Sequence, residues 1–395
     1  MGYNTDGEER LFRGHSGRLF VLITIAFLSV KLVQRLLPPL LPVIIDDLAI
    51  TSFLAGVALS VMSLFRAGMQ FPSGRFADAL TRTTVLLAAL GLVVTSLLVL
   101  MVTPSYVGFV IGVALFGMAS GLYDPADRAL LSDLFREKRG RAFGLHMMGS
   151  DGSGILAAGL AVWIVTVASW RAAFLPSLVV LAVVPIVLYR LSRESVVFEE
   201  VELGALATGH RLFGDPRMRW LLLSYSLFVF ASIAVTSFLP TFLTAVHGVS
   251  LAVASSAFAL LYAVGIVAKP IAGTVSDRFH RPIVAGSGLA VGGAGLAVIV
   301  GAPDERIAIA GIVLYALGQR AVPPALQSHL MDRFPDESMG GDLGAMRTVY
   351  MGVGSLGPAY IGLLADRFDY IAAYTSLIAL FLLAAGVLFW LSASR

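Results

Sequence analysis

Gly74–Arg82 reads GRFADALTR, and Gly273–Arg281 reads GTVSDRFHR: Gly74, Asp78 and Arg82 recur as Gly273, Asp277 and Arg281, each 199 positions later. The register continues outward. Pro125, Asp133 and Phe135 recur as Pro324, Asp332 and Phe334. Gly140, Gly144, Gly152 and Gly154 recur as Gly340, Gly344, Gly352 and Gly354, now 200 positions on. The 395 residues therefore read as one unit of about 200 residues written twice.

Each copy is built of apolar runs. Of the whole chain 57% is apolar and only 13% charged, about half the charge of an average soluble domain, which is about 25%. Mean hydropathy is +0.86. Splitting the runs at Gly, Pro and charge predicts helices over 18–45, 52–72, 83–103, 106–133, 141–168, 171–191, 219–246, 251–272, 282–301, 306–330, 341–365 and 370–392. The runs are continuous rather than alternating, which argues against a strand barrel. The expected fold is an all-α membrane protein of twelve transmembrane helices in two pseudo-symmetric six-helix bundles. The halves are 1–192 and 218–395, joined by a polar linker over 193–217. Six helices per copy, an even number, make the repeat parallel, with its axis along the membrane normal. These features exclude a soluble enzyme, a disordered chain and a nucleic-acid binder.

Lys and Arg are concentrated on one side. Eighteen fall in segments on the side of both termini, against Arg171, Arg306 and Arg367 on the other. Cytoplasmic loops are enriched in these residues, so both termini are expected in the cytoplasm, in a multi-pass protein of the plasma membrane. The first apolar run is too long for a secretory signal peptide. There is no cysteine, hence no thiolate chemistry or disulfide.

The GRFADALTR stretch resembles the Gly-x-Leu-Ala-Asp-Arg-x-Gly-Arg signature of the major facilitator superfamily. Gly74, Ala77, Asp78 and Arg82 match, while Ala79 and Thr81 depart from it. The second copy keeps Gly273, Asp277 and Arg278, with Arg281 following. The resemblance implies secondary transport by alternating access around a central site. It also implies a loop clamp on one side, with Gly74, Asp78, Arg82, Gly273, Asp277 and Arg281 as gating residues. Drug–proton antiporters of that family often carry an Arg in helix 4 and a Gly-Pro late in helix 5. Here Val113 stands four residues before Gly117, and helix 5 reads GSGILAAG (152–159), which speaks against drug efflux.

A charged side chain at mid-bilayer costs about 2.5–3.5 kcal/mol on insertion scales, so those retained are functional candidates. Lys31, Arg35, Arg66, Arg128, Lys269, Arg320 and Arg347 lie within the expected spans, against Asp124, Asp127 and Asp151. The cationic excess invites an anionic cargo. Arg66, Lys269 and Arg347 are near enough to helix ends to snorkel, and Arg128 is one turn from Asp124. Lys31 and Arg35 are mid-helix and one turn apart; they either contact a substrate carboxylate or phosphate, or pair internally with Asp124 or Asp151. Aligning Pro39 with Pro240 sets Ser232 and Thr236 opposite these two cations. Arg320 and, two turns on, Gln327 complete the candidate substrate set from the second half. Asp151 is the first candidate for proton coupling, with Asp124 and His146 as alternatives.

GVGSLG (352–357) mimics a dinucleotide fingerprint but follows no strand. It and GMASG (117–121) read as close helix packing. No histidine cluster, catalytic triad or Walker motif is present, so neither an enzyme, a cofactor nor a metal is expected. The resulting expectation is a monomeric carrier in the lipid bilayer, moving a small organic anion with protons. Efflux of hydrophobic compounds, transport of a neutral solute such as a sugar, and a sensor or scaffold on a transporter fold are the alternatives.

Overall fold

The computed structural model describes residues 11–135, 137–192, 215–331 and 339–393, and within them the side chains of all but 71, 74, 75, 77–79, 331 and 339–343. Most of the expected linker lies outside these residues. The first half holds α1 (Gly14–Asp47), α2 (Ser52–Ala79), α3 (Arg82–Val102), α4 (Tyr106–Leu134), α5 (Arg139–Val167) and α6 (Leu175–Leu191). A 3-10 turn, Trp170–Phe174, leads into α6. The second half holds α7 (Pro216–His247), α8 (Leu251–Arg278), α9 (Arg281–Gly301), α10 (Glu305–Met331), α11 (Met339–Gly354), α12 (Gly357–Arg367) and α13 (Tyr370–Ala393). Among the described residues, twelve spans are long and apolar enough to cross a membrane.

Local chemistry explains the ends. Thr81, Ser105 and Ser250 cap α3, α4 and α8 with side-chain oxygens that accept from Thr84, Gly108 and Val253 N–H groups. Asp215 caps α7, with Pro216 at its first position, and Gly248 closes that helix at φ +64°. One expectation is revised: the run over 341–365 is two helices. The chain breaks at Ser355–Leu356, where Leu356 N–H turns back to Val353 O, because Pro358 follows and has no N–H to continue the ladder.

The described chain packs as two compact units. One comprises residues 11–37 and 65–192; the other comprises 38–64 and 215–393. Thus α3–α6 and α7–α13 fall in different units. The end of α1, the start of α2 and the turn joining them pack with the second. The division in α1 falls at Leu37/Pro38, although the helix runs unbroken through Pro38, Pro39 and Pro42.

In the first unit α3 packs on α4 and α6, and α4 on α5. Gly121 of α4 lies against the Arg66 backbone of α2; a Cβ there would meet Met69 Cβ at 2.8 Å and Arg66 Cα at 3.1 Å. In the second unit α9 packs on α10 and α13. Here Gly295 faces the Tyr315 backbone, Gly318 faces Gly292 and the Gly288 carbonyl, and Gly311 lies 2.9 Å from the Ile299 backbone N when a Cβ is added. This is small-residue helix packing of the kind membranes favour, where close backbone approach replaces the hydrophobic drive. Large apolar side chains such as Leu98, Trp163, Val183 and Leu382 are exposed on the outer faces, as lipid contact requires.

Candidate substrate and coupling sites

The closeness that Gly121 permits brings Arg66 of α2 to Asp124, one turn along α4. Arg66 Nη2 donates to Asp124 Oδ2 at 2.7 Å, and Lys31 Nζ of α1 donates to Oδ1 at 2.6 Å. The Asp124 side chain is 2% exposed. Of the two readings for Lys31, the structure has the internal pair, so the expectation that its counter-charge awaits a substrate is corrected. Arg66 does not snorkel away; it is the second cation on the same carboxylate. Arg128 adds a third positive charge felt by both Lys31 and Asp124. Two direct ion pairs share one anion, so the cluster keeps a cationic surplus. Arg35, one turn beyond Lys31, is partly exposed.

A second buried network adjoins it. His146 of α5 hydrogen-bonds through Nε2 to Asp127 Oδ2 at 2.8 Å and through Nδ1 to Thr24 Oγ1 at 3.1 Å. Both His146 and Asp127 side chains are 0% exposed. Tyr123 O–H lies 3.2 Å from both Asp127 Oδ1 and the Ile23 carbonyl. Phe27 joins the two networks: its ring lies 4.1 Å from the His146 ring, and Lys31 Nζ sits 5.2 Å from its centroid. Of the coupling candidates, His146 and Asp124 fall in these networks; Asp151 is buried on α5, five residues after His146. The sequence reading missed Asp127 and Tyr123 as site residues. Asp127 and His146 lie at nearly equal distances from the α4–α5 connection, a hairpin register that sets them at one depth.

In the second unit, Arg320 projects from α10 onto α8. Its guanidinium lies 4.8 Å from the Tyr262 ring centroid, and Nε donates to the Leu261 carbonyl at 3.2 Å. Gly265, the next residue of that surface, gives it room: a Cβ would meet Arg320 Cδ and Nε at 3.3 Å. Among the described residues no carboxylate pairs with Arg320. Beside it, Ser232 and Thr236 of α7 approach the Tyr315 hydroxyl. The Ser232 and Tyr315 hydroxyls are buried and find no partner of full hydrogen-bonding geometry among the described residues. Three of the expected substrate residues, Arg320, Ser232 and Thr236, therefore gather around Tyr315. Gln327 is exposed two turns further on.

The gating candidates divide. The surroundings of Gly74 and the side chain of Asp78 lie outside what is described, although the backbone places both in the last turns of α2 rather than in a loop. Gly273 and Asp277 likewise sit within α8. A Cβ at Gly273 meets nothing within 4 Å, so close approach does not explain this glycine here. Each repeat's last arginine reaches the fourth helix of its own half. Arg82 Nε is 3.3 Å from Asp133 Oδ2 on α4, and Arg281 Nη1 donates to the Ser328 carbonyl on α10 at 3.0 Å.

A family model described as Major Facilitator Superfamily matches residues 19–358. The transcription regulatory protein OpdE of Pseudomonas aeruginosa is 26% identical over 376 residues, covering 93% of this chain and 89% of that protein. In fold the chain is similar to a bacterial homolog to the human lysosomal transporter Spinster in two crystal structures. The inward-facing, unoccupied form has a TM-score of 0.82 at 17% identity, covering 96% of this chain and 98% of that one. The inward-facing, occupied form has a TM-score of 0.83 at 16% identity, covering 98% of each.

Proposed function

Because the chain belongs to the Major Facilitator Superfamily, whose fold carries solutes across membranes by alternating access, we propose that it moves a small organic anion in company with protons. One observation carries the anion: Arg320, within a membrane-spanning helix, has aromatic and carbonyl neighbours but no carboxylate among the described residues. A guanidinium in that setting is stabilised by a bidentate carboxylate or phosphate. The unsatisfied hydroxyls of Ser232 and Tyr315, with Thr236, supply donors for the remaining oxygens. The surplus charge of Lys31, Arg66 and Asp124 supports the same sign of cargo in the first unit, with Arg35 one turn away.

Proton coupling is assigned to His146 and Asp127. His146 Nε2 and Asp127 Oδ2 share a hydrogen bond, the contact through which a proton passes between imidazole and carboxylate. Phe27 packs against both the His146 ring and Lys31, so a change of charge at His146 is felt at the Asp124 cluster over a short distance. Asp151 is a further buried acid for the same transfer. The carrier works as a monomer in the plasma membrane with both termini cytoplasmic, the orientation that the Lys and Arg distribution supports.

The test is uptake by proteoliposomes of a panel of labelled aliphatic and aromatic carboxylates under an imposed pH gradient. Arg320→Gln is expected to abolish uptake of the transported member while the protein stays folded. Unchanged uptake would reject the anion reading. A second reading, a membrane sensor, is favoured by the name of the Pseudomonas aeruginosa relative as a transcription regulatory protein. It predicts carboxylate binding, seen as thermal stabilisation, with no flux.

A further inference from the structure

The stretch Gly362-Leu363-Leu364-Ala365-Asp366-Arg367 at the end of α12 matches the six-residue core Gly-x-Leu-Ala-Asp-Arg in full, more completely than either GRFADA or GTVSDR. We propose that it is a third working copy of the signature, and that Asp366 latches the face of the protein opposite the one the first two copies serve. The proposal takes alternating access as given and does not depend on the cargo.

The geometry is that of a carboxylate closing a helix end. Asp366 Oδ1 accepts from Ser52 N–H at 3.1 Å and Oδ2 from Phe53 N–H at 2.8 Å. These are the first two N–H groups of α2, which have no partner within the helix and lie at its positive end. Ser52 Oγ and Tyr370 Oη are 2.8 Å apart, and Ala359 N–H donates to Ser60 Oγ at 2.9 Å. Two glycines make the approach possible. A Cβ on Gly362 would enter the Ser52 carbonyl, and one on Gly56 would enter the Pro358 carbonyl. Ser52, Gly56 and Ser60 are four residues apart and form one face of α2, zipped along 358–370.

Two features turn this contact into a gate. First, it joins a stretch of the first sequence repeat to a stretch of the second, both within one compact unit here, so a motion that parts the two repeats on that side has to break it. Second, the first signature copy ends α2 near Ala79, whereas Asp366 grips the other end of the same helix at Ser52. α2 thus carries one copy of the motif at its last turns and is gripped by another at its first, and the Asp366 contact favours the state in which it is made by its differential free energy. The face in question holds Arg367, one of the three arginines on the cation-poor side.

The absence of cysteine makes the test clean. Ala55 is fully buried on α2 beneath the latch, so Ala55→Cys is a unique thiol. It is probed in proteoliposomes with a membrane-impermeant maleimide. Adding Asp366→Ala is expected to raise its labelling rate about tenfold, and Tyr370→Phe about threefold. Labelling of an exposed thiol near the other end, Gln327→Cys, is expected not to rise. An unchanged rate at Ala55→Cys in both latch variants would overturn the proposal. So would equal acceleration of both thiols, because that reports loosening of the whole fold. If Asp366→Ala does not fold, Tyr370→Phe alone decides between these outcomes.

Discussion

Replacing Asp124 by Asn removes one negative charge and little volume. The structure allows the consequence to be sized. The carboxylate accepts from Lys31 at 2.6 Å and Arg66 at 2.7 Å and is almost fully buried. Removing one partner of a buried ion pair costs about 3–5 kcal/mol, because the other charge stays buried without compensation. For a unit of this size each kcal/mol moves the melting temperature by about 2–4 °C. Asp124→Asn is therefore expected to lower Tm by roughly 6 to 20 °C, read from tryptophan fluorescence in detergent. Lys31→Met gives the contrast. It removes the ammonium and fills its place with an apolar chain of similar length, while Arg66 still neutralises Asp124, so no buried charge is left uncompensated; a loss under about 4 °C is expected. A transported carboxylate at about 100 times its Kd adds about 2.7 kcal/mol and so restores part of the loss in Asp124→Asn. A drop in Lys31→Met equal to or larger than that in Asp124→Asn would refute the reasoning, since Asp124 would not be the shared anion.

Asp127→Asn and His146→Ala are expected to abolish uptake driven by a pH gradient while leaving substrate counterflow, which needs no net proton movement, within about threefold of wild type; both are read in proteoliposomes. Arg320→Lys keeps the charge but loses the planar fork and the stacking on Tyr262, so KM should rise about tenfold with a smaller change in maximal rate. Gly295→Leu drives a side chain into the Tyr315 backbone and is expected to lower stability by at least about 1–3 kcal/mol, read as a lower yield of monodisperse protein and a reduced Tm. Ala49, at φ +47° in the α1–α2 turn, is the opposite case: Ala49→Gly relieves a left-handed backbone and should raise stability by about 1 kcal/mol.

The twelve spans were legible because a membrane helix writes its length into an unbroken apolar run, and the repeat was legible because its Gly, Asp and Arg keep their spacing. The break at Ser355–Leu356 was not expected, although Pro358 was visible; proline marks a weak point without saying which residues unwind. The sites were less legible because a sequence gives depth but not partner. Lys31 and Asp124 could be set at mid-membrane as a possible pair, yet nothing in the spacing joins Arg66 to Asp124 across 58 residues. That contact depends on Gly121 admitting α2 to the surface of α4. Arg320, Ser232 and Thr236 were found through their charge and the duplication, whereas Tyr315, at the middle of the group, looked like one more aromatic in an apolar helix. The latch at Asp366 was in plain view as GLLADR, but searching in the 199-residue register passes over it, because it stands outside that register.

The glycine seam between α9 and α10 has a mechanical consequence. Where main chain rests on main chain, neither helix can roll about its own axis without driving one peptide group into the next, and neither can slide by a fraction of a turn. Tyr315 and Arg320 are mounted on that fused plank. Whatever motion the second unit makes, these two side chains travel as rigid passengers, arriving at each end of the stroke in the same relation to each other.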